Sequence, residues 1–263
     1  MIKDITIGQY IPGNSMLHSA DPRVKIILTF IYMTVLFLVE TFAGFFMFAL
    51  FTLLAIVSSS IPLKYTLKGL KPVMFIVIFA AIVNIFTVPG TPIFEYGFLK
   101  ITYEGLEMAA KMALRLGLLI VGASLLTLTT TPILLTDAIE KLLGPLKRIG
   151  VPAHEIAMMM TIALRFIPTL LDETEKIMKA QSARGADFDT GNLMQRAKSF
   201  VPILVPLFIS AFRRADELAM AMEARCYRGS EGRTRMKQLK LTILDFYITS
   251  IMVVFSAFVL YIQ

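Results

Sequence analysis

Five long apolar runs constrain this chain more than any other feature. A helix needs about 20 apolar residues to cross the hydrocarbon core of a bilayer, and lipid offers no partner for open backbone polar groups. The mean hydropathy of +0.72, with only 17% charged residues, is typical of a membrane protein. We therefore predict five transmembrane helices, at approximately residues 26–39, 42–58, 72–88, 112–128 and 243–262.

Positive charge is distributed asymmetrically around these runs. Of the 26 lysines and arginines, 23 lie before the first run, between the second and third, or between Lys141 and Lys240. Loops rich in lysine and arginine stay in the cytoplasm. We therefore expect a multi-pass protein with its N-terminus inside and its C-terminus outside.

A charged block separates the fourth run from the fifth. It is too charged to span a bilayer and too apolar to be a solvated loop. Proline and glycine positions and the spacing of apolar residues predict three amphipathic helices there. The first begins at Thr131-Pro132, the second runs from about Ala153 to Ala183, and the third runs from about Asn192 to Arg225.

These patterns predict an all-α membrane protein with about five transmembrane helices and a cytoplasmic coupling domain of about three amphipathic helices. The expected division is a transmembrane region of four spans at 1–130, the cytoplasmic domain at 131–240 and a last transmembrane helix at 241–263.

The two longest predicted helices end alike, 41 residues apart. Gly185 is typical of the left-handed residue that terminates a helix. Cys226 lacks glycine's easy access to positive φ, so we expect the third helix to continue one more turn, to about Gly229. The macrodipole favours a cation at one helix end, but it explains poorly why both ends match. The matching segments are Ala183, Arg184 and Gly185, and Ala224, Arg225 and Cys226.

The same shift along the chain aligns opposite charges. Asp172 aligns with Arg213, and Glu173 aligns with Arg214. Helices that cross near these positions would form ion pairs. The alternative is two independently solvated charged faces.

The chain shows no sequence pattern of a catalytic or metal site. It has no glycine-rich P-loop for ATP, one cysteine and two histidines, so we expect no catalytic residue, no metal site and no enzyme activity. We interpret His154, at a predicted helix start, as a capping or surface residue. The chain has a large charged block but no site of its own for an energy source such as ATP. We therefore interpret it as a scaffold that connects a separate energy-supplying subunit to a separate substrate carrier.

The twin Ala-Arg ends, the segment Asp21, Pro22 and Arg23 before the first run, and the order of spans and charged block resemble one known family. That family is the transmembrane T component of energy-coupling factor (ECF) transporters, and the resemblance covers nearly the whole chain. It implies a bacterial cell-membrane complex that imports vitamins or metal ions. Two cytoplasmic ATPases would hold ATP-Mg, and a membrane-embedded S component would capture the substrate.

The resemblance also implies roles for individual residues. Each motif arginine, Arg184 and Arg225, would dock into one ATPase together with its flanking residues, and Asp21, Pro22 and Arg23 would form the family's N-terminal motif. No cofactor in this chain and no nucleic acid are implied. The segments that follow the two motifs differ, which favours two non-identical ATPases.

Three other functions remain open from the sequence. A membrane enzyme acting on lipids would have Asp172, Glu173, Thr174 and Glu175 as its only acidic cluster. An autonomous channel or secondary transporter would carry flux alone. A conventional permease would bind its substrate within its own spans.

Overall fold

A computed structural model of the chain describes residues 9–96, 99–186, 188, 192–229 and 238–262. The chain divides into two compact units. One lies within Gly8–Ala138 and Gln238–Gln263, and the other within Ile139–Lys237.

The described chain is mainly helical, with one short two-stranded antiparallel sheet. A 3₁₀ helix, Gly144–Ile149, precedes the two longest helices. In chain order the other elements are α1 Met16–Ser19, α2 Pro22–Leu38, α3 Phe42–Ser59, α4 Leu63–Lys68, α5 Met74–Thr87, β1 Pro92–Tyr96, β2 Leu99–Thr102, α6 Tyr103–Thr129, α7 Pro132–Leu143, α8 Ala153–Ala183, α9 Leu193–Ala224 and α10 Ile243–Ile262.

A helix occupies each of the five predicted apolar runs: α2, α3, α5, α6 and α10. The largest difference is at the start of α6, which begins at Tyr103, well before the predicted residue 112. The side chain of Thr102 accepts a hydrogen bond from the amide of Gly105 (3.1 Å) and caps this helix. Because the cap lies in a polar segment, an apolar run alone does not reveal it.

Four of the described helices are long and apolar enough to cross a membrane: α3, α6, α8 and α10. Helices α2 and α5 are shorter, with 17 and 14 residues. Helix α8 has the lowest mean hydropathy of the four, 1.3 against 2.2 for α10. Its assignment to the cytoplasmic domain at 131–240 stays a prediction.

In the first unit, α2, α3, α6 and α10 pack around an aromatic core. The ring of Phe48 meets those of Tyr32 and Phe255 edge to face, at centroid distances of 5.3 and 5.0 Å. Phe51 stacks on Phe255 at 4.3 Å. Such pairs add stability beyond their buried area, which matters where lipid is as apolar as the core.

The outer surface of this unit is apolar as well. Phe30, Phe46, Phe75 and Phe246 are each more than 70% exposed. Exposed aromatic side chains on this scale are typical of a surface covered by lipid or by another membrane protein.

The close approach of α2 to α6 depends on one glycine. The hydroxyl of Tyr32 bonds to Thr52 Oγ1 (2.8 Å) and to the carbonyl oxygen of Leu118 (3.2 Å), which fixes the ring. A Cβ added at Gly122 would overlap that ring. Only glycine therefore fits at position 122 without displacing the Tyr32 ring.

In the second unit, α8 and α9 pack against each other. The predicted bounds of both helices are confirmed to within one residue. Pro168 lies inside α8, and Pro202 and Pro206 lie inside α9. Each proline removes one backbone donor, and the helices continue through these positions.

We predict that Gly122→Ala destabilises the protein whereas Gly117→Ala in the same helix does not. Overpacking against the fixed Tyr32 ring should cost about 1–2 kcal/mol. At Gly117 the new Cβ would lie 3.8 Å from Leu70, an ordinary contact. Thermal unfolding of the two purified variants in detergent measures the difference. Equal midpoints would contradict the role assigned to Gly122.

Candidate functional site

Helix α8 ends in a hydrogen-bonded turn that contains the first predicted motif. The amide of Gly185 donates to the carbonyl oxygen of Ser182 and that of Ala186 to Gln181, both at 3.0 Å. Gly185 has a φ of +87°. This pair of bonds is a Schellman motif, and it satisfies carbonyls that a helix end leaves open. The predicted stop at Gly185 is confirmed.

Helix α9 ends in the same way. The amide of Cys226 donates to the carbonyl oxygen of Glu223 (2.8 Å) and that of Tyr227 to Met222 (3.0 Å). Cys226 itself has a φ of +54°. The expectation that α9 would continue to about Gly229 is therefore wrong. Two cap hydrogen bonds hold Cys226 in the left-handed conformation and offset its steric cost of about 1–2 kcal/mol.

The two motif arginines occupy the same position in these turns. Arg184 and Arg225 each follow the last helical residue and precede the left-handed residue. Both side chains are exposed, as are the neighbours Ala183, Gly185, Ala224 and Cys226. Each turn thus presents a guanidinium, with five donors in a planar fork, from a backbone of defined geometry. The residues that flank each arginine in these turns are small.

One of the predicted charge pairs forms between the two helices. Arg214 Nη2 lies 3.1 Å from Glu173 Oε2, and the two side chains are 38% and 24% exposed. The structure does not join Asp172 to Arg213 within the described parts of α8 and α9, and both of these residues are exposed.

The ion pair lies at equivalent points of the two helices. Arg184 follows Glu173 by three helical turns, about 16 Å, and Arg225 follows Arg214 by the same three turns. The internal prolines, Pro168, Pro202 and Pro206, all precede the pair. Each arginine therefore stands at the end of a helical arm of equal length, free of proline.

The N-terminal motif lies in the other unit, at the start of α2. Asp21 caps α2 by accepting from the amide of Arg23 (2.9 Å), and Pro22 takes the first helical turn. Arg23 Nη2 donates to Asp21 Oδ2 at 2.7 Å. Burial raises the pKa of the Asp21 carboxyl, but hydrogen bonds and charge from Arg23 and Lys25 outweigh burial and hold it below its usual value.

The sequence interpretation missed two partners of this motif. The carboxylate of Asp245, in the first turn of α10, accepts from the amide of Asp21 (2.7 Å). Lys25 is buried, and its Nζ donates to the carbonyl oxygens of His18 and Thr129 and to the hydroxyl of Thr130, each at 3.2 Å. In the sequence, the only signal for Lys25 and Asp245 was a charged residue at the end of an apolar run. Together they join the starts of α2 and α10 to the end of α6.

His154 is not the capping residue that the sequence interpretation offered, and its side chain is partly buried. Its helix begins without a side-chain cap, and the side chain of His154 is only 19% exposed. Instead, the ring lies between Glu140 and Tyr227. Only the tertiary structure brings these distant positions together.

In the parts of the chain that the structure describes, no group of three or more histidine, cysteine, aspartate or glutamate residues could hold a metal ion. The candidate site consists of the two arginine-bearing turns and the ion pair between their helices.

Comparisons with known proteins find a family and several relatives that match most of this chain. The CbiQ family, described as cobalt transport protein, matches residues 13–236. A relative from Ruminiclostridium cellulolyticum is 70% identical over 260 residues, 99% of this chain and 97% of its own length. Relatives from Clostridium kluyveri and Bacillus subtilis are 64% and 46% identical and cover 94% and 100% of this chain, and 92% and 100% of their own lengths. All three are named energy-coupling factor transporter transmembrane protein EcfT.

We predict an energetic coupling between Glu173 and Arg214. A double-mutant cycle with Glu173→Gln and Arg214→Gln should give about 0.5–1 kcal/mol, because both side chains are partly exposed. Thermal unfolding of the four proteins measures it. Glu175 and Lys179, an ion pair within α8, provide the control: neutralising Lys179 should not couple to Arg214. A coupling energy of zero between Glu173 and Arg214 would contradict the pair.

We predict opposite effects of substitutions at the two left-handed residues. Cys226→Gly should stabilise its turn by about 0.5–1 kcal/mol, and Gly185→Ala should destabilise the other turn by about 1 kcal/mol, because only glycine adopts positive φ without steric cost. Hydrogen exchange of the capping amides of Tyr227 and Ala186 reports the two effects. Slower exchange at Ala186 in Gly185→Ala would be inconsistent with the cap geometry.

Proposed function

This chain belongs to the CbiQ family of membrane transport proteins, and we propose that it is the coupling subunit of an ATP-driven ECF-type importer of vitamins or other micronutrients. The observation that carries the proposal is the pair of equivalent Schellman turns, each with an exposed arginine. A single helix end with a cation needs no partner to explain it. Two matched ends on two packed helices favour two docking points.

Each docking point would engage one cytoplasmic ATPase. Guanidinium groups bind carboxylates in a bidentate manner, and removing one member of a desolvated charge pair costs about 2–5 kcal/mol. The ATPases would bind ATP-Mg, and this chain would contribute no catalytic residue. The turns are followed by different residues, Ala186 in one and Tyr227-Arg228 in the other, which favours two non-identical ATPase subunits.

The ion pair between the helices supports a route for transmission. Closure of the two ATPases on ATP would change the distance between Arg184 and Arg225. Both arms extend about 16 Å from the Glu173–Arg214 pair, so a change at the tips would alter the crossing of α8 and α9 there. Packed helices move between discrete arrangements rather than deforming continuously, and this would carry the change along them.

An apolar face on α9 supports a second partner, the membrane-embedded S component. Ile203 is buried, whereas several large apolar residues that follow it are exposed. A surface of this kind favours a membrane protein or lipid over water. A change in helix crossing would reshape this face and release the substrate-loaded carrier. The exposed side chains are Leu204, Val205, Phe208, Ile209 and Phe212, at 46–68%.

The proposal places the complex in the bacterial cell membrane. The N-terminus and the α7–α9 region would face the cytoplasm, because that side carries most of the lysines and arginines. The C-terminus would lie outside.

We predict that Arg184→Ala and Arg225→Ala each reduce ATP-driven uptake by the reconstituted complex at least tenfold, and that the double variant abolishes it. The physical reason is the loss of a charge-assisted contact to each ATPase. Arg148→Ala provides the control, since Arg148 is exposed but lies on the 3₁₀ helix away from both motifs in sequence. Uptake is measured with radiolabelled substrate in proteoliposomes, and ATPase retention by copurification. Full uptake by the double variant would refute the proposal.

A further inference from the structure

A histidine joins the start of α8 to the end of α9. His154 Nδ1 lies 3.1 Å from Glu140 Oε1 on α7, and His154 Nε2 lies 3.3 Å from the hydroxyl of Tyr227. With the neutral imidazole protonated on Nδ1, that nitrogen donates to the carboxylate, and Nε2 accepts from the tyrosine hydroxyl. We call Glu140, His154 and Tyr227 the histidine bridge.

Tyr227 is held at both its backbone and its side chain. Its amide closes the Schellman turn by donating to Met222 (3.0 Å), and its hydroxyl takes part in the histidine bridge. Arg225 lies two residues before Tyr227, inside the same turn. A rotation of this turn about the axis of α9 would therefore break a side-chain hydrogen bond in addition to fraying the helix.

The histidine bridge is a second attachment of α9 to α8. It lies about 28 Å along α8 from the Glu173–Arg214 pair. Two attachments so far apart restrict both the position and the direction of the last part of α9. The side chains of His154 and Glu140 are only 19% and 16% exposed, so water competes weakly for these bonds.

The first turn has a different kind of neighbour. Beyond Gly185, the ring of Phe188 lies 5.7 Å from that of Phe200 on α9, in a tilted arrangement. An aromatic pair tolerates a range of ring tilts, whereas hydrogen bonds restrict the angle more narrowly. Among the residues that the structure describes, the two motifs thus share the same turn but differ in the contacts that orient it.

We propose that His154 and Tyr227 are positioning residues that hold Arg225 in its docking orientation, so that the second arginine-bearing turn is the more rigid of the two docking points. This inference rests on the proposed function for its consequence, but the bridge itself is testable without any ATPase. One hydrogen bond contributes modestly, so loss of the Tyr227 hydroxyl should weaken docking at this turn by about fivefold.

The bridge is tested with a spin label on the chain's own cysteine. Cys226 is free and exposed and directly precedes Tyr227. In the full chain in lipid nanodiscs, a nitroxide at Cys226 should give a more mobile spectrum in Tyr227→Phe and in His154→Asn. His154→Gln, whose amide reaches the position of Nε2, should retain most of the immobilisation. Unchanged spectra in Tyr227→Phe and His154→Asn would overturn the bridge.

Two matched controls separate the bridge from a general loosening of the fold. Tyr65→Phe removes a hydroxyl from an exposed tyrosine on α4 and should leave the Cys226 label unchanged. A label at Ser182→Cys, in a Cys226→Ser background, reports the first turn and should not respond to Tyr227→Phe. Mobilisation in either control would show a general effect and overturn the proposal.

A titration in the assembled complex separates this inference from the proposed function. Tyr227→Phe should raise the ATPase concentration needed for half-maximal uptake about fivefold and leave the maximal rate unchanged, because Arg225 is still present. The Arg225→Ala variant, which should lose docking, tests the proposed function alone. A mobile label in Tyr227→Phe with unaltered half-saturation would overturn the positioning role, even if Arg225→Ala abolishes uptake.

Discussion

The way α8 and α9 end is the constraint on which the rest of the candidate site depends. A helix end leaves carbonyl groups that need partners, and in both helices two amides of the following turn supply them. This requires a left-handed residue right after each arginine, Gly185 in one case and Cys226 in the other. The turns fix where the backbone stops, and so they fix from where Arg184 and Arg225 extend.

Buried charged groups within each unit also need partners, as the open carbonyl groups of a helix end do. In the first unit, Asp21, Lys25 and Asp245 are buried, and each has a hydrogen-bond partner on another element. In the other unit, Glu173 and Arg214 pair where α8 and α9 pack together. Isolated charges in these places would be costly, so each pair favours one packing of its helices over others. The proposed coupling role needs such defined arrangements, because a soft assembly would absorb a displacement instead of transmitting it.

Much of this was predictable, and the failures have local causes. The apolar runs located α2, α3, α5, α6 and α10, and the bounds of α8 and α9 followed from periodicity and from glycine and proline. The start of α6 was misplaced because Thr102 caps it within a polar segment. Cys226 was misjudged because backbone preference was weighed without the two hydrogen bonds that hold the turn. His154 was misjudged because its partners, Glu140 and Tyr227, are remote in sequence.

The sequence by itself determined that this chain is a helical membrane protein with a charged block and two matched arginine ends, because hydropathy and helix periodicity are local properties of the chain. The tertiary structure decided which charges meet. It selected Glu173 with Arg214 over Asp172 with Arg213, brought Asp245 to the N-terminal motif and placed His154 beside Tyr227. A side chain's partner depends on how helices rotate and cross when they pack, and no local pattern encodes that geometry.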